Sequence, residues 1–307
     1  MNYDDFCEMV FADCTPCWHL CTPGDFQSII FKEKEDYVYG MNLVALSAAA
    51  FSSKVQIYTF QIMSNHLHFV LSGEKDAVVQ FFECFRKKLS KYMSLKGNGS
   101  YIKELIHNLI PITDLHYMRN VIAYVNRNGY LTDSNSTPFT YPWGANVIFF
   151  SGKQYLLKCI YVKNLSVKKK REIFHSHTVV VPEEYYLVNE HIYPGCYVKR
   201  EIVENLFRSA HHYFNLVSRQ VESFISIATE LGDKILYTDN ELYSAVCSIS
   251  AKKFEVAPKI LDKTQKIEIA KDLHHKYNAS NKQIKRVLRI DEAIIEELFP
   301  KNGGGGN

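Results

Sequence analysis

Alternation of apolar and polar positions predicts short β-strands in the first third of the chain. The segments 18–22, 54–62 and 66–71 alternate in this way and are rich in β-branched or aromatic residues. A turn at Met63-Ser64-Asn65 separates the last two segments, so we expect them to pair with each other. A further strand is expected within 101–112.

Apolar residues at three- and four-residue steps predict helices between these strands. The clearest helix is 75–93, whose apolar face carries Val78, Phe81, Phe82, Phe85, Leu89, Tyr92 and Met93. A second helix is expected over 39–51, which is rich in alanine, and a third over 114–130. Asp114 is a suitable N-cap for the third helix, and Gly129 lies where that helix is expected to end.

The pattern changes after about residue 150, which divides the chain into regions. Residues 1–150 combine strands and helices, and 151–262 predict a mainly helical connector. Three short helices are expected within 263–300, and the glycine-rich residues 301–307 predict a flexible tail. We therefore expect an α+β fold in which an antiparallel sheet with helices precedes a mainly helical C-terminal region.

Composition excludes some classes of protein. The 307 residues are 47% hydrophobic and 22% charged, which is ordinary for a globular protein, and the formal net charge is +3. The most apolar stretch, 43–51, is too short to span a bilayer, and the acidic start of the chain does not resemble a signal peptide. We expect a cytoplasmic protein that does not enter a membrane.

Two histidines at the start of a predicted strand provide the first candidate chemistry. His66 and His68 are two residues apart, so on a strand both imidazoles lie on one face while Leu67 faces the opposite way. Two neutral imidazoles that converge are the beginning of a metal site. A pair with this spacing is also common by chance, so the pair alone does not establish a site.

The helix predicted over 114–130 offers polar side chains that could complete such a site. Tyr124 and Asn128 are four residues apart and therefore share one helix face, and Asn120 lies on that face one turn earlier. Tyr117, seven residues before Tyr124, is an alternative candidate. Because the chain has 20 tyrosines, ordinary packing also accounts for either of them.

A cluster near the N-terminus offers a separate metal site. Cys14, Cys17, His19 and Cys21 follow in close succession, with Cys7 upstream as an extra ligand, and such residues can hold zinc. The alternative is an ordinary first strand. A strand would send Cys17, His19 and Cys21 to one face and leave Cys14 outside it, and only one Cys-x-x-Cys pair is present. We therefore favour the strand.

Three motifs occur in order along the first half of the chain. They are Met63-Ser64-Asn65-His66-Leu67-His68, then Tyr124-Val125-Asn126-Arg127-Asn128, then Thr140-Tyr141-Pro142-Trp143. In order and spacing they resemble the Met-Pro-Asn-His-x-His, Tyr-Ile-x-x-Asn and aromatic-Pro-Trp motifs of single-tyrosine HUH transposases, in particular the REP-associated tyrosine transposase (RAYT) branch. The resemblance covers roughly residues 15–150, with Ser64 and Gly129 in place of prolines and a poor match over 96–112.

The resemblance implies a fold and a reaction. The fold is an antiparallel sheet with helices on one face, the ferredoxin-like palm of HUH enzymes, followed here by a helix-turn-helix-like module at 263–300. Tyr124 would be the nucleophile, and His66, His68 and Asn128 would hold Mg²⁺ or Mn²⁺. The reaction would be cleavage and strand transfer of single-stranded or hairpin DNA through a covalent 5′-phosphotyrosine. The resemblance also allows a homodimer in which one subunit supplies the tyrosine helix to the other.

Basic side chains are the candidates for contacts to the DNA backbone, although a solvated surface is the alternative explanation. On the helix predicted over 75–93 they are Arg86, Lys87, Lys88 and Lys91. In the helix-turn-helix-like module they are Lys282 and Arg286, whereas the third helix of that module is acidic. Two rival functions remain open: a DNA-binding regulator that keeps the fold without cutting, and a zinc-dependent protein built on the N-terminal cysteines.

Overall fold

A computed structural model describes residues 2–22, 29–97, 102, 105–132, 139–152, 158–176, 179–218, 227, 237 and 239–300, except the side chains of 130–132, 240 and 292. The chain divides into two compact units, Met1–Asp233 and Lys234–Asn307. The predicted flexible tail at 301–307 lies outside the described residues. No described helix is both long enough and apolar enough to cross a lipid bilayer.

The fold is α+β, as the sequence predicts. The elements of the first unit are α1 (Tyr3–Ala12), β1 (Cys17–Cys21), α2 (Lys34–Ala50), β2 (Gln56–Ile62), β3 (Leu67–Ser72), α3 (Lys75–Leu95), β4 (Asn108–Ile112), α4 (Leu115–Thr132), β5 (Ile160–Tyr161), α5 (Val167–Phe174), β6 (Tyr186–Val188), β7 (His191–Ile192), α6 (Arg200–Asn205) and α7 (Ala210–Ser218). The second unit contains α8 (Asp239–Phe254), α9 (Lys263–Tyr277), α10 (Asn281–Leu288) and α11 (Glu292–Leu298). Every strand and helix predicted before residue 130 is confirmed, with ends that differ by a few residues.

The first four strands form one antiparallel sheet in the order β2-β3-β1-β4. β2 and β3 are the predicted hairpin, and β1 is an inner strand between β3 and β4. Because α2 joins β1 to β2 and α3 joins β3 to β4, the chain order is β-α-β-β-α-β. β4 lies at one edge of the sheet and includes Pro111, a residue that edge strands tolerate because it has no backbone N–H to donate.

One face of the sheet is apolar and packs against α3. Alternation along β3 directs Leu67, Phe69 and Leu71 to this face, and all three are buried. The Phe69 ring lies 5.7 Å from Phe81 and 6.0 Å from Phe85 of α3. The predicted apolar stripe of α3 therefore forms part of the hydrophobic core. Burial of one such side chain stabilises the fold by roughly 1.5–3 kcal/mol.

The opposite face of the sheet is polar, and α4 packs on it. The same alternation directs His68 to this face, beside its register partners Gln61 of β2 and Cys21 of β1. The Thr59 hydroxyl of β2 donates a hydrogen bond of 2.6 Å to Asn126 Oδ1 of α4. Helices therefore lie on both faces of the sheet, which corrects the expectation of helices on one face.

α4 does not end at Gly129 but continues to Thr132, which corrects the predicted helix end. Close packing explains the glycine instead, because a Cβ there would overlap the Gln61 amide and the Tyr141 ring. In the orientation that satisfies both groups, the Gln61 amide donates to the Val125 carbonyl and accepts from the Gly129 N–H. The missing side chain therefore allows α4 to approach the sheet closely.

Residues 141–145 cover the outer edge of β2. The Ile62 N–H donates to the Trp143 carbonyl at 2.8 Å, and the Ala145 N–H donates to the Phe60 carbonyl at 3.0 Å. The aromatic-Pro-Trp segment thus pairs with the sheet through its backbone.

The region 151–262 contains a small second sheet as well as helices. β5, β6 and β7 are antiparallel in that order. Asn42 of α2 accepts a 2.9 Å hydrogen bond from the Ile192 N–H of β7 and donates to the Glu190 carbonyl at 3.3 Å. The prediction of a mainly helical connector missed this sheet, because strands of two or three residues are too short to show periodicity.

Four helices share one hydrophobic core in the second unit. Leu242 of α8, Leu273 of α9, Ile284 of α10 and Ile295 of α11 are buried in it together. The three short helices predicted within 263–300 are confirmed, but the unit begins earlier because α8 belongs to the same core. The helix-turn-helix assignment of these helices stays a prediction.

Asp36 links the first turn of α2 to the end of α3. Its buried carboxylate lies 2.5 Å from Lys96 Nζ and accepts hydrogen bonds from the Tyr92 hydroxyl and from the backbone N–H groups of Lys32 and Glu33. Burial opposes ionisation, but the hydrogen bonds outweigh it and hold the pKa of the Asp36 carboxyl below its ordinary value.

We expect Asp36→Asn to lower the free energy of unfolding by about 2–3 kcal/mol at pH 7, because the Lys96 ammonium loses its nearer and buried partner. Since folding lowers the pKa of Asp36, wild type loses this contribution as the pH falls below about 4, and the difference between the two proteins should narrow in acid. Urea unfolding at pH 7 and pH 3 measures both effects. Glu33→Gln is the control, because its exposed carboxylate lies 3.4 Å from the same ammonium and should change stability little. A difference that is equal at the two pH values contradicts this account.

Candidate functional site

Three histidine rings and the Tyr124 ring meet on the polar face of the sheet, beside α4. The His66 ring lies 4.9 Å from the His68 ring and is nearly perpendicular to it, at 86°. The centre of the Tyr124 ring lies 5.7 Å from that of His68 and 6.3 Å from that of His19. Both contacts are T-shaped, with angles of 87° and 72° between the ring planes. The structure therefore brings the predicted nucleophile and the two predicted histidine ligands together, and adds a third histidine.

Strand pairing explains why His19 joins this group. Cys21 of β1 is directly opposite His68 of β3, and His19 precedes Cys21 by two residues, so it lies on the same face of β1. Side chains opposite or diagonal to one another on one face of an antiparallel pair are within reach. His19 Nε2 lies 3.2 Å from His68 Nδ1, and the two ring centres are 5.4 Å apart.

His19, Cys21 and His68 form a buried group that could bind a metal ion. One ligand atom from each residue lies within 4.8 Å of the others. The described part of the chain holds no other group of three histidine, cysteine or carboxylate ligands at this spacing. Imidazole and thiolate are ligands that transition metals prefer to water or carbonyl oxygen.

A hydrogen bond orients the His66 ring. Its Nδ1 lies 2.8 Å from the Asn65 side-chain oxygen, which can only accept. In the neutral ring this hydrogen bond places the proton on Nδ1 and leaves the lone pair on Nε2. Metal-binding histidines are commonly fixed by an acceptor on their second nitrogen in this way.

The site is almost closed to solvent. His19 and His68 are fully buried, Tyr124 and Asn128 are 5% exposed, and His66 is 7% exposed. Exclusion of water strengthens the interaction of an ion with its ligands. A substrate would reach the phenol only through the small part of these side chains that is exposed.

The other predicted polar residues of α4 lie along the helix on either side of Tyr124. Asn128 is buried one helical turn beyond Tyr124. Tyr117 lies seven residues before Tyr124, about 10 Å along the helix axis, and is partly exposed. The Asn120 side chain is hydrogen-bonded to His116 at 3.0 Å. The Tyr124 ring itself contacts two of the imidazoles, those of His68 and His19.

A buried hydrogen-bond network fixes α4 on the sheet. Asn126 accepts from the Thr59 hydroxyl and donates 2.8 Å to the hydroxyl of Tyr213, which in turn donates to Asn146. All four side chains are buried. Burial raises the pKa of Tyr213 well above its ordinary value, so this hydroxyl stays protonated and can donate. The network fixes Asn126, which lies two residues after Tyr124 and two residues before Asn128.

The structure divides the N-terminal cysteine cluster. Cys21 faces His68, whereas the Cys17 thiol lies 3.5 Å from the Ile112 carbonyl and the Cys14 thiol 3.2 Å from the Val10 carbonyl. Burial, with a smaller effect of Cys14, raises the pKa of Cys17 to about 12. Cys7 is bonded elsewhere, to the Asn205 carbonyl at 3.3 Å. The described residues therefore do not form the zinc site that the sequence offered as an alternative.

The predicted DNA-binding residues of α3 are separated from the imidazoles by the sheet. α3 packs on the apolar face, opposite the face that carries His68. Arg86 forms a short ion pair with Glu83, at 2.6 Å, whereas Lys87 and Lys91 are exposed and Lys88 is half-buried. Contacts to DNA by these residues stay a prediction, and the helix that carries them lies on the face of the sheet opposite His68.

In the second unit, the two predicted DNA-binding residues differ in their surroundings. Arg286 of α10 pairs with Asp239 of α8 through two hydrogen bonds, of 2.6 and 3.0 Å. Lys282 is exposed. The pairing already neutralises Arg286, so a phosphate would have to compete with the Asp239 carboxylate.

Sequence reasoning missed His19 and Cys21 as partners of His68. It placed them on one face of a first strand but treated them as rivals of the His66–His68 pair. The missing information was that β1 pairs with β3 and that Cys21 lies opposite His68.

Comparison of the chain with known protein families, with curated proteins and with solved structures finds no match.

Proposed function

We propose that this chain cleaves and rejoins single-stranded DNA, with Tyr124 as the nucleophile and a divalent ion held by His66, His68 and Asn128. The observation that carries the proposal is the contact of the Tyr124 ring with His68, 5.7 Å between ring centres, where His68 also meets His66 at 4.9 Å. A tyrosine and two imidazoles that converge on one strand end are what this reaction requires.

The connectivity of the sheet supports the proposal. A β-α-β-β-α-β chain with an antiparallel sheet is the ferredoxin-like arrangement expected for the palm of HUH enzymes. His68 lies on the internal strand β3, His66 directly precedes that strand, and Tyr124 lies on a helix packed against the face that carries His68. This is the distribution of ligands and nucleophile that the resemblance in motifs implies.

The three proposed ligands fit a divalent ion and favour Mn²⁺. Two imidazoles and an amide oxygen suit Mn²⁺ better than Mg²⁺, which prefers oxygen ligands and water. Bound there, the ion supplies Lewis-acid stabilisation of the charge that develops on the phosphate oxygens. Asn65 holds His66 in the tautomer with its lone pair on Nε2, and His19 engages Nδ1 of His68.

Tyr124 would carry out a transesterification. The bond from Tyr124 Oη to phosphorus forms while the bond from phosphorus to the 3′ oxygen breaks. The phenol loses a proton and the departing 3′ oxygen gains one, so no net charge is created. Because one phosphodiester replaces another, the covalent intermediate retains the energy for rejoining and no nucleotide cofactor is needed. The fixed position of α4 limits the reorganisation that this attack requires.

The test is formation of a covalent adduct. A pool of single-stranded hairpin DNAs with randomised flanks, labelled at the 3′ end so that the label stays with the 5′-phosphotyrosine fragment, is incubated with the protein and Mn²⁺ or Mg²⁺. We expect a labelled protein band on a denaturing gel that Tyr124→Phe abolishes, because phenylalanine keeps the ring packing but lacks the hydroxyl.

Tyr117→Phe is the matched control, since it removes a hydroxyl from the same helix and should leave the adduct unchanged. An adduct that survives Tyr124→Phe contradicts the proposal. Binding of the DNA pool without any adduct, with either ion, also overturns it and identifies a DNA-binding regulator that does not cut.

A further inference from the structure

We propose that His19, Cys21 and His68 form a second metal site, selective for Zn²⁺ or a similar thiophilic ion, which shares His68 with the proposed catalytic site and excludes the catalytic ion when occupied. The binding site stands on its own geometry, whereas the exclusion of Mn²⁺ rests on the proposed function. Neither the resemblance in motifs nor the proposed reaction uses His19 or Cys21 as a ligand.

The spacing of the three ligands fits a tetrahedral ion. Zinc bonds of about 2.0–2.1 Å to nitrogen and 2.3 Å to sulfur place neighbouring ligand atoms roughly 3.3–3.6 Å apart at tetrahedral angles. His19 Nε2 and His68 Nδ1 are already 3.2 Å apart, and all three ligand atoms lie within 4.8 Å of one another. A small rotation of side chains, without movement of the strands, would complete three corners of the tetrahedron.

The sheet holds these positions before any ion binds. Cys21 and His68 are opposed in the ladder between β1 and β3, and β1 is paired on its other side with β4. An inner strand cannot shift without breaking two ladders of hydrogen bonds. The site is therefore preorganised, and binding need not order a flexible segment.

The chemistry of the group selects against the proposed catalytic ion. A thiolate with two imidazoles prefers Zn²⁺, Co²⁺ or Cd²⁺ to Mg²⁺ and Mn²⁺. All three side chains are at most 1% exposed, and burial without a cation opposes ionisation of a thiol. Binding of Zn²⁺ would therefore displace one proton, from the Cys21 thiol to solvent, and leave the site with a single net positive charge.

Sharing of His68 makes the two sites mutually exclusive. A neutral imidazole has a proton on one ring nitrogen and a lone pair on the other. When Nδ1 of His68 binds zinc, its proton must lie on Nε2, and that nitrogen can no longer serve the ion shared with His66. Without zinc, the proton on Nδ1 can be donated to His19 Nε2, which leaves the lone pair on Nε2 of His68. The identity of the ion would thus set the tautomer of His68.

The binding site is tested on the DNA-free, full-length protein in a reducing buffer without thiols. Titration with Co²⁺ should produce a near-ultraviolet thiolate-to-cobalt charge-transfer band that saturates at one ion per chain and disappears on addition of Zn²⁺. Cys21→Ser should abolish the band. Cys17→Ser is the matched control, because Cys17 is buried on the same face of the same strand but bonds to the Ile112 carbonyl. Absence of the band in wild type, its persistence in Cys21→Ser or its loss in Cys17→Ser overturns the site.

Mutual exclusion is tested separately by electron paramagnetic resonance of Mn²⁺. We expect one equivalent of Zn²⁺ to release bound Mn²⁺ from wild type. Cys21→Ser should require more than about tenfold more zinc for the same release, since even the loss of a residue that only orients a metal ligand costs roughly 10–100-fold in affinity. Retention of Mn²⁺ by zinc-loaded wild type overturns the exclusion. Failure of the adduct assay with an intact cobalt band would overturn the proposed reaction and leave the zinc site standing.

Discussion

His68→Ala is expected to abolish both the covalent DNA adduct and the cobalt thiolate band. Each of the two proposed sites uses this imidazole, one with His66 and the other with His19 and Cys21. An ion that stabilises a developing charge supplies several kcal/mol, so we expect the rate of adduct formation to fall by at least about 10²–10³-fold. Substitution of Tyr124, which belongs to the proposed catalytic site alone, should remove only the adduct.

Two further variants separate the sites. His66→Ala should lose the adduct and keep the cobalt band, because His66 is not part of the zinc group. Cys21→Ser should lose the band and keep the adduct. His211→Ala, which removes an exposed histidine of α7, is the control that should change neither. If His66→Ala and Cys21→Ser gave the same result in both assays, the two-site description would be wrong.

Asn126→Leu is expected to lower the free energy of unfolding by about 3–4 kcal/mol, the largest stability effect that we predict. The substitution keeps the branched shape and the number of side-chain heavy atoms but removes both the acceptor of the Thr59 hydroxyl and the donor to Tyr213. Each buried polar group left without a partner costs about 1–3 kcal/mol. Urea denaturation with an unchanged m-value measures the loss.

The double variant Thr59→Val with Asn126→Leu provides the decisive comparison. Because it removes both partners of the 2.6 Å hydrogen bond, it should be more stable than the sum of the two single losses implies. Strict additivity would contradict the assignment of this bond as the link between α4 and the sheet. A loss below about 1 kcal/mol for Asn126→Leu would contradict the importance of the network as a whole.

Local patterns were sufficient to predict the elements β1 to β4 and α2 to α4 of the first unit. Alternation located β2 and β3 on either side of Met63-Ser64-Asn65, and the apolar stripe of α3 proved to be the face that meets Phe69. The prediction that Tyr124 acts with the histidines depended on the order of the motifs, since helical periodicity alone does not distinguish Tyr124 from Tyr117. The proximity of Tyr124 to His68 depends on how α4 packs on the sheet, which no local pattern specifies.

What the sequence could not give depends on contacts between distant segments. Two strands can each direct a histidine to one face, but only their register decides that Cys21 lies opposite His68. The end of α4 was misjudged because Gly129 serves close packing against Gln61 rather than helix termination. The face of the sheet that α3 covers separates Arg86 from the imidazoles, and no pattern within the helix itself contains that information.

The backbone pairing of residues 141–145 with β2 has a consequence for the chain's behaviour in a crowded cell. An exposed strand edge is a template for strands of other molecules and therefore a starting point for amyloid-like association. One rim of the sheet is occupied by the chain's own backbone, and the other carries a proline that cannot extend a ladder. Both rims of this four-stranded sheet are therefore poor templates for the strands of other copies of the chain.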